Sequence, residues 1–503
     1  MRTKKIILNL FSNVMLQIVS AVINFILPRL FMTTYGSATN GLVTSIKQFL
    51  SYLKIVEAGV GSASIAALYK PLAVNDKEQI NGILSATHYF YRRSGTIFVV
   101  LVALLAIFYP LIVGKEVSPL TAFYMVLILG VSGVWEYFLI GKYLVLLTAD
   151  QKSYIIFRIQ TCLLIASTIL SLFLLTLGFS IVIVVGSSSM LLLLDILFLK
   201  VYVQKKYPYF NSNVKPNTSA IKKKWDALIH QIASLVVFNT PFILITIFLG
   251  LAEVSVFTVY NMVFNAVTLF ISAFSSAMLA AFGDILVKED RDTLQKHFHH
   301  FEYVFFAVVA FGYTCTAILI LPFITIYTAG IEDANYIRPW LGALFVVVGI
   351  ANAIRIPANT LVNSAGHFKE TKIRAIIEAV INFSFSFVLV QFLGVEGILI
   401  GALCSYAYRT CDLILYTSKE ILKISVYITV KKILLNSILA FIAASPFLFF
   451  IELHIATVIT WFVAAVCISV WTMTVIFVGN FIFQPTTMRD ILRHLKRVVI
   501  SND

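Results

Sequence analysis

Long apolar segments of this sequence contain basic side chains, among them Arg29, Lys47, Lys54 and Arg355. Lys47 and Lys54 are seven residues apart, so they lie on nearly the same face of a helix. A charge at the centre of a membrane-spanning helix costs at least about 2.5–3.5 kcal/mol on insertion scales, and it usually faces the interior of a helix bundle. Ammonium and guanidinium groups bind phosphate oxygens through charge-assisted hydrogen bonds. We therefore predict that these four cations bind an anionic group.

Two other roles are open for the same residues. An ion pair that only neutralises a buried charge would explain Lys54, because Glu57 lies one helical turn away. Arg29 and Lys47 could extend their charged ends to the membrane interface.

Asn261 and Asn265, one turn apart, could add a polar lining to the same site. They could equally form hydrogen bonds between helices.

Three acids in apolar segments are candidates for coupling or gating: Glu57, Glu136 and Glu378. An apolar surrounding favours the protonated carboxyl, which suits a proton carrier. Glu136 corresponds to Asn352 when the two halves of the chain are aligned, one turn before Arg355. This correspondence predicts that Glu136 and Arg355 face each other, either as a gating pair or as a static salt bridge.

Helices that cross a membrane must position these residues. Of the 503 residues, 60% are hydrophobic and 12% are charged, whereas soluble chains carry about 25% charged residues. A span needs about 20 apolar residues. The sequence predicts an all-α polytopic membrane protein of about fourteen spans, starting near Phe11, Gly41, Gly95, Leu120, Tyr154, Ile181, Ala227, Ser255, Tyr303, Leu341, Ala375, Ile398, Ile433 and Ala456. The first apolar segment is too long for a cleaved signal peptide, so we expect it to be retained as a span.

The basic residues predict the orientation of the chain. Alternate connections and their helix ends hold 31 of the 38 lysines and arginines. Basic residues are enriched on the cytoplasmic side of membrane proteins, which places both termini in the cytoplasm. The net charge of +14 is then a topology signal, and we expect no nucleic-acid partner. A lipid-headgroup or nucleic-acid patch at Lys222–Lys224 is the alternative.

The two halves of the sequence resemble each other at an offset of about 214 residues. In the best window, Ser62–Ile80 aligns with Ser276–Leu294, and the polar pair Asp76 and Asp290 is identical. Six spans per repeat give a parallel repeat. We predict two parallel six-helix lobes around a central cavity, at 1–204 and 226–425. A cytoplasmic linker at 205–225, two further helices at 426–483 and a cytoplasmic tail at 484–503 complete the prediction.

Several short motifs carry a resemblance to a known family: Gly36 to Gly41-Leu42, Glu57 to Gly61, Leu147 to Lys152, Pro322 to Gly330, and Asn363 to Lys372. In these motifs the chain resembles the Wzx-type oligosaccharide flippases of the multidrug/oligosaccharidyl-lipid/polysaccharide exporter superfamily. The resemblance implies export of a polyprenyl-diphosphate-linked oligosaccharide to the outer leaflet by alternating access, coupled to an ion gradient. It also implies a bacterial cytoplasmic membrane and partners among membrane lipids and polysaccharide-assembly proteins.

Rival functions are a multidrug exporter or a lipid II flippase of the same superfamily, a scaffold or channel, and a membrane glycosyltransferase or polymerase. An enzyme of that last class needs a sizeable outer loop or an acidic metal motif, and the predicted outer loops are short. We expect a secondary transporter with no catalytic residues, no metal site and no cofactor. The five cysteines all fall in apolar segments, which predicts buried free thiols.

Overall fold

The computed structural model describes residues 2–57, 59–211, 214–218, 225–287, 290–449, 451 and 455–490. Over these residues the chain forms eighteen α-helices and no strand. The helices are α1 (Arg2–Tyr35), α2 (Ser37–Leu53), α3 (Val60–Ala73), α4 (Lys77–Val113), α5 (Pro119–Trp135), α6 (Gly141–Ala149), α7 (Ser153–Thr176), α8 (Ile181–Leu192), α9 (Leu194–Lys206), α10 (Trp225–Phe248), α11 (Leu251–Val287), α12 (Arg291–Tyr327), α13 (Pro339–Ile354), α14 (Ile356–Ala365), α15 (Phe368–Leu393), α16 (Val395–Tyr416), α17 (Val426–Phe449) and α18 (Val458–Phe483).

The predicted membrane spans are confirmed as helices. Thirteen helical segments of the described chain are long and apolar enough to cross a membrane. The second predicted span is the remaining one, and it consists of α2 and α3, with 17 and 14 residues. A 3₁₀ turn at Lys54–Glu57 and the left-handed Gly59 (φ 86°) separate these two helices. The chain is therefore a multi-pass membrane protein.

Several spans depart from α geometry beside a charged residue. Five residues of π-helix, Glu136–Ile140, join α5 to α6, and Arg355 stands between α13 and α14. Asp195 is the second residue of α9, directly after the break from α8. Such irregular turns free backbone groups and re-aim side chains, and π-bulges are frequent at functional sites.

The sequence repeat has a counterpart in local structure. Asp76 caps α4 by accepting a hydrogen bond from the Gln79 amide at 3.0 Å, and Asp290 caps α12 through the Thr293 amide at 3.0 Å. Both helices are 37 residues long and contain a proline near the C-terminal end. The matching windows of the two halves therefore begin the same kind of helix in the same way.

The helices group into two compact units. Unit 1 comprises Met1–Thr258 and Ile331–Ala334, and unit 2 comprises Val259–Gly330 and Asn335–Asp503. The core of unit 1 includes the fully buried Leu42, Ile46 and Phe98, and the core of unit 2 includes Phe305 and Leu361.

The predicted domain boundaries differ from this grouping. The boundary between the units lies inside α11, whereas the predicted linker at 205–225 lies before α10 and partly outside the described residues. The predicted tail at 484–503 is described only to residue 490. The division into lobes, linker, extra helices and tail stays a prediction.

Candidate functional site

An ion pair joins two of the predicted site residues in unit 1. Lys54 Nζ donates to Glu136 Oε2 at 2.6 Å, and the two side chains are 44% and 39% exposed. Lys54 begins the 3₁₀ turn and Glu136 begins the π-helical turn, so both charges come from points where a span is irregular. Because the pair is not sealed in the protein interior, a competing charged group could replace either partner.

Glu57, which the sequence offered as the partner of Lys54, has a different contact. Its carboxylate interacts with the nearby Tyr91 hydroxyl. A Cβ atom at Gly61 would stand 2.8 Å from that hydroxyl, so Gly61 leaves the space that Tyr91 needs. Tyr137 donates from its hydroxyl to the Lys54 carbonyl at 3.4 Å. Glu57 therefore lies beside the ion pair without taking part in it.

From the sequence, Asp195 is an acid near the cytoplasmic end of the sixth span with an expected interfacial position, and the sequence alone does not assign it to this cluster. Its carboxyl group is buried, and Oδ1 has no hydrogen-bond partner among the described residues. It also interacts electrostatically with Glu136. The signal that could have found it is an acid inside an apolar run of leucines, which the sequence places near the end of the sixth span.

A cavity of about 370 Å³ lies within unit 1, with apolar and polar side chains on its wall, and Lys47 and Lys54 both line it. Small-molecule pockets commonly have volumes of about 300–1,000 Å³. Five hydroxyl side chains of α7 and α8 form part of its wall: Ser167, Thr168, Ser171, Ser188 and Ser189. Ser51 and Ser132 add two more hydroxyls. The predicted cation pair therefore borders a space that fits a polar ligand.

The remaining predicted site residues do not line this cavity. Arg29 is partly buried in α1, between the lining residues Leu27 and Phe31. In unit 2, Asn261 is partly buried and Asn265 is exposed, one turn apart on α11. Their assignment to substrate binding stays a prediction.

In unit 2, Arg355 and Glu378 form an ion pair. Arg355 also donates to the Asn352 side chain at 2.8 Å and stacks over the Tyr406 ring, 4.4 Å from its centroid. Arg409 Nε lies 3.4 Å from the other Glu378 oxygen. Two guanidinium groups therefore hold the Glu378 carboxylate.

Each member of the predicted Glu136–Arg355 pair thus has a partner within its own unit. That predicted pairing stays a prediction.

Sequence reasoning counted Arg409 and Lys432 among the cytoplasmic basic residues, but both are buried. Arg409 bridges Glu378 and Asp412, with Nη1 at 2.9 Å from Asp412. Lys432 Nζ lies 2.7 Å from Glu302, and the two side chains are 2% and 3% exposed. A basic residue near the end of a span looks the same in sequence whether it points to water or to an internal acid.

Outside the spans, the motif from Leu147 to Lys152 forms a polar network with the start of α1. Asp150 accepts hydrogen bonds from Lys5 at 3.1 Å and from Tyr207, and it pairs with Lys152 at 2.7 Å. Burial raises the pKa of Asp150, but these three partners lower it more, so its pKa lies below the ordinary value of 3.8. Asp150 therefore stays charged at neutral pH and holds the chain segments together at this end of unit 1.

The described residues contain no group of three or more His, Cys, Asp and Glu side chains that could hold a metal ion. The five cysteines are free, and Cys162, Cys411 and Cys467 are exposed rather than buried. The expectation of buried thiols is therefore wrong for these three.

No protein-family model and no curated protein matches the sequence. Solved structures do match the fold. An inward-facing multidrug resistance MATE family transporter of the MOP superfamily superposes with a TM-score of 0.64, at 14% identity, over 82% of this chain and 96% of that chain. The lipid II flippase MurJ, in an inward closed conformation, superposes with a TM-score of 0.64, at 15% identity, over 96% of this chain and 100% of that chain.

A MATE structure in a bent conformation has a TM-score of 0.54 at 13% identity, over 84% of this chain and 95% of that chain. The expected resemblance to the superfamily is confirmed at the level of the fold, whereas the oligosaccharide-flippase branch within it stays a prediction. The chain has the all-α membrane fold that these transporters and this flippase share.

Proposed function

We propose that this protein is a secondary transporter that moves a polyprenyl-diphosphate-linked oligosaccharide from the inner to the outer leaflet by alternating access. The observation that carries the proposal is the cavity of about 370 Å³ in unit 1, with Lys47 and Lys54 on its wall. A diphosphate in a membrane needs cationic partners, because an unpaired charge is costly away from water. The sugar head would pass through a polar space while the lipid tail stays in the bilayer.

The extent of structural similarity supports a lipid-linked substrate. The lipid II flippase superposes on 96% of this chain and the MATE transporter on 82%. Lipid II export is therefore the second candidate function. Both candidates require an anionic lipid-linked head group. A multidrug exporter for organic cations fits the lysine-lined cavity less well, because like charges repel in a low dielectric.

For ion coupling, the cluster in unit 1 is the better candidate. The Lys54–Glu136 pair is partly exposed, and Glu57 lies next to it. A substrate phosphate that binds Lys54 would release the Glu136 carboxylate, which could then take a proton. Glu378 is a weaker candidate, since Arg355 and Arg409 both compensate its charge.

The proposed location is the bacterial cytoplasmic membrane, with both termini in the cytoplasm. The proposed role is cell-surface polysaccharide synthesis, together with polysaccharide-assembly proteins. A membrane glycosyltransferase or polymerase remains the distant alternative.

The test is transbilayer movement of a fluorescent polyprenyl-diphosphate oligosaccharide in liposomes that contain the purified protein, with and without a pH gradient. We expect Lys47→Met and Lys54→Met each to slow the movement by roughly tenfold or more, the weight of one hydrogen bond to a charged group. Lys142→Met is the matched control, because Lys142 lies in a span but does not line the cavity.

Efflux of cationic dyes without lipid movement would reassign the protein to multidrug export. Faster movement of lipid II than of the oligosaccharide lipid would favour the second candidate.

A further inference from the structure

The cavity in unit 1 has two chemically different sides. Lys47 and Lys54, from the second span, provide ammonium groups on one side. Lys47 forms no hydrogen bond or ion pair within the part of the chain that the structure describes. Because an ammonium group only donates hydrogen bonds, this side is suited to an anion. The other side is formed by the hydroxyl groups of α7 and α8, two helices that pack against each other.

The hydroxyls of Ser167, Thr168, Ser171 and Ser188 on that side lie within hydrogen-bond distance of backbone carbonyls. The Ser171 and Ser188 hydroxyls also lie 2.6 Å apart and share a hydrogen bond. Thr168 donates to the Leu164 carbonyl at 2.8 Å, and Ser188 donates to the Val184 carbonyl at 2.8 Å. Both partners lie four residues earlier in the same helix, the usual back-bond of a helical hydroxyl.

Ser171 follows the same pattern, donating to the Ser167 carbonyl at 2.9 Å, and Ser167 donates to the Leu164 carbonyl at 2.9 Å. A hydroxyl carries one donor hydrogen and two acceptor lone pairs. With these hydrogens engaged, and one lone pair used between Ser171 and Ser188, the wall has mainly acceptor lone pairs left for a ligand. It therefore matches a ligand surface that is rich in hydrogen-bond donors.

We infer that the cavity binds a sugar phosphate, with the phosphate at Lys47 and Lys54 and the sugar hydroxyls at the α7–α8 wall. A sugar is rich in hydroxyl donors, whereas the phosphate ester of a sugar is mainly the dianion at neutral pH and has only acceptors. The two parts of such a ligand therefore suit the two sides of the cavity. The assignment rests on the proposed function and adds to it the residues that select the sugar.

The test measures binding of glucose 1-phosphate, of inorganic phosphate and of methyl glucoside to the full-length protein in detergent by titration calorimetry. We expect Thr168→Val and Ser188→Ala each to weaken glucose 1-phosphate binding by about fivefold, the weight of one neutral hydrogen bond. The same variants should change inorganic phosphate binding by less than about twofold, because the phosphate does not contact the wall. Lys47→Met should weaken the binding of both glucose 1-phosphate and inorganic phosphate. Of the three probes, methyl glucoside should bind most weakly to the wild type.

Thr474→Val is the matched control for Thr168→Val. Thr474 donates to the Val470 carbonyl at 2.7 Å with the same four-residue spacing, but it is exposed on α18. Thr168→Val and Ser188→Ala could weaken the binding of glucose 1-phosphate and of inorganic phosphate equally, or could leave the binding of both unchanged. Either result overturns the assignment of the wall to the sugar. Absence of binding of either anion to the wild type overturns the site as a whole.

The liposome assay separates this inference from the proposed function. If the protein moves the lipid but the wall variants have no selective effect on glucose 1-phosphate binding, the proposed function is supported and the inferred sugar site is wrong. If glucose 1-phosphate binding depends on the wall hydroxyls but the lipid-linked sugar does not move, the inferred site is supported and the flippase function is wrong.

Discussion

At the scale of single residues, the charged groups inside the spans fall into two kinds. Lys54 and Glu136 are both more than a third exposed in their pair, whereas Lys432 and Glu302 are almost fully buried in theirs. A sealed pair is strongly coupled to folding, because removal of one partner leaves an uncompensated charge. A partly exposed pair costs less to open, so it is the one suited to change partners during transport.

The sealed pair gives a prediction for stability. Lys432→Met should lower the free energy of unfolding by about 3 kcal/mol or more, because Glu302 keeps its buried charge without its partner. The double change of Lys432→Met with Glu302→Gln should recover most of the loss, since no buried charge remains. Thermal unfolding in detergent measures both effects.

Lys431→Met is the control for this prediction, because the neighbouring Lys431 is exposed. A similar loss of stability in the two single variants would contradict the assignment, since an exposed lysine should matter by less than about 0.5 kcal/mol.

At the scale of elements, α2 packs closely against α10 and the start of α11 within unit 1. Asn40 donates to the Ser255 hydroxyl at 2.8 Å, and the Ser45 and Thr246 hydroxyls are 2.7 Å apart. A Cβ atom at Gly41 would stand 1.8 Å from the Leu251 carbonyl oxygen. This close approach holds the helix that carries Lys47, so the position of the candidate site depends on a glycine outside it.

Gly41→Ala should therefore lower stability by about 1–3 kcal/mol, because the helices must move apart to admit the methyl group. Gly283→Ala is the matched control. Its added Cβ meets nothing within 4 Å, and alanine is favoured over glycine inside a helix by roughly 0.5–1 kcal/mol. The two variants should shift the thermal unfolding temperature in opposite directions. A loss of stability in both would mean that helix propensity or lipid contact, rather than close packing, decides the effect.

At the scale of the whole molecule, the distribution of basic residues predicts which connections face the cytoplasm. Arg409 and Lys432 belong inside unit 2 rather than to those connections. The excess of basic residues in the predicted inner connections does not depend on these two residues. The predicted outer loops contain only two basic residues, Lys115 and Arg338.

The topology can be checked by cysteine labelling in intact cells, after replacement of the five native cysteines. A membrane-impermeant maleimide should label Lys115→Cys, in a predicted outer loop, and should leave Val74→Cys, in a predicted inner loop, unlabelled until the cells are opened. Both positions are exposed in the structure. The reverse pattern would invert the predicted orientation and with it the proposed direction of transport.

The sequence by itself determined the membrane class, the number and order of the spans and the repeat. The class and the spans depend on local composition, because a run of about 20 apolar residues is long enough to cross the bilayer and a helix satisfies its backbone groups there. The repeat is visible from matching positions in the two halves of the chain. The same reasoning found Lys47, Lys54 and Glu136, since a charge in an apolar run is visible without any contact information.

Only the tertiary structure decided the partners of those charges. Lys54 pairs with Glu136 across 82 residues of sequence rather than with Glu57, and Arg355 pairs with Glu378. The α7–α8 hydroxyl wall was not predicted, because serines in a span are equally compatible with simple helix packing. Composition determines which segments enter the membrane, whereas packing between segments distant in sequence decides which side chains meet.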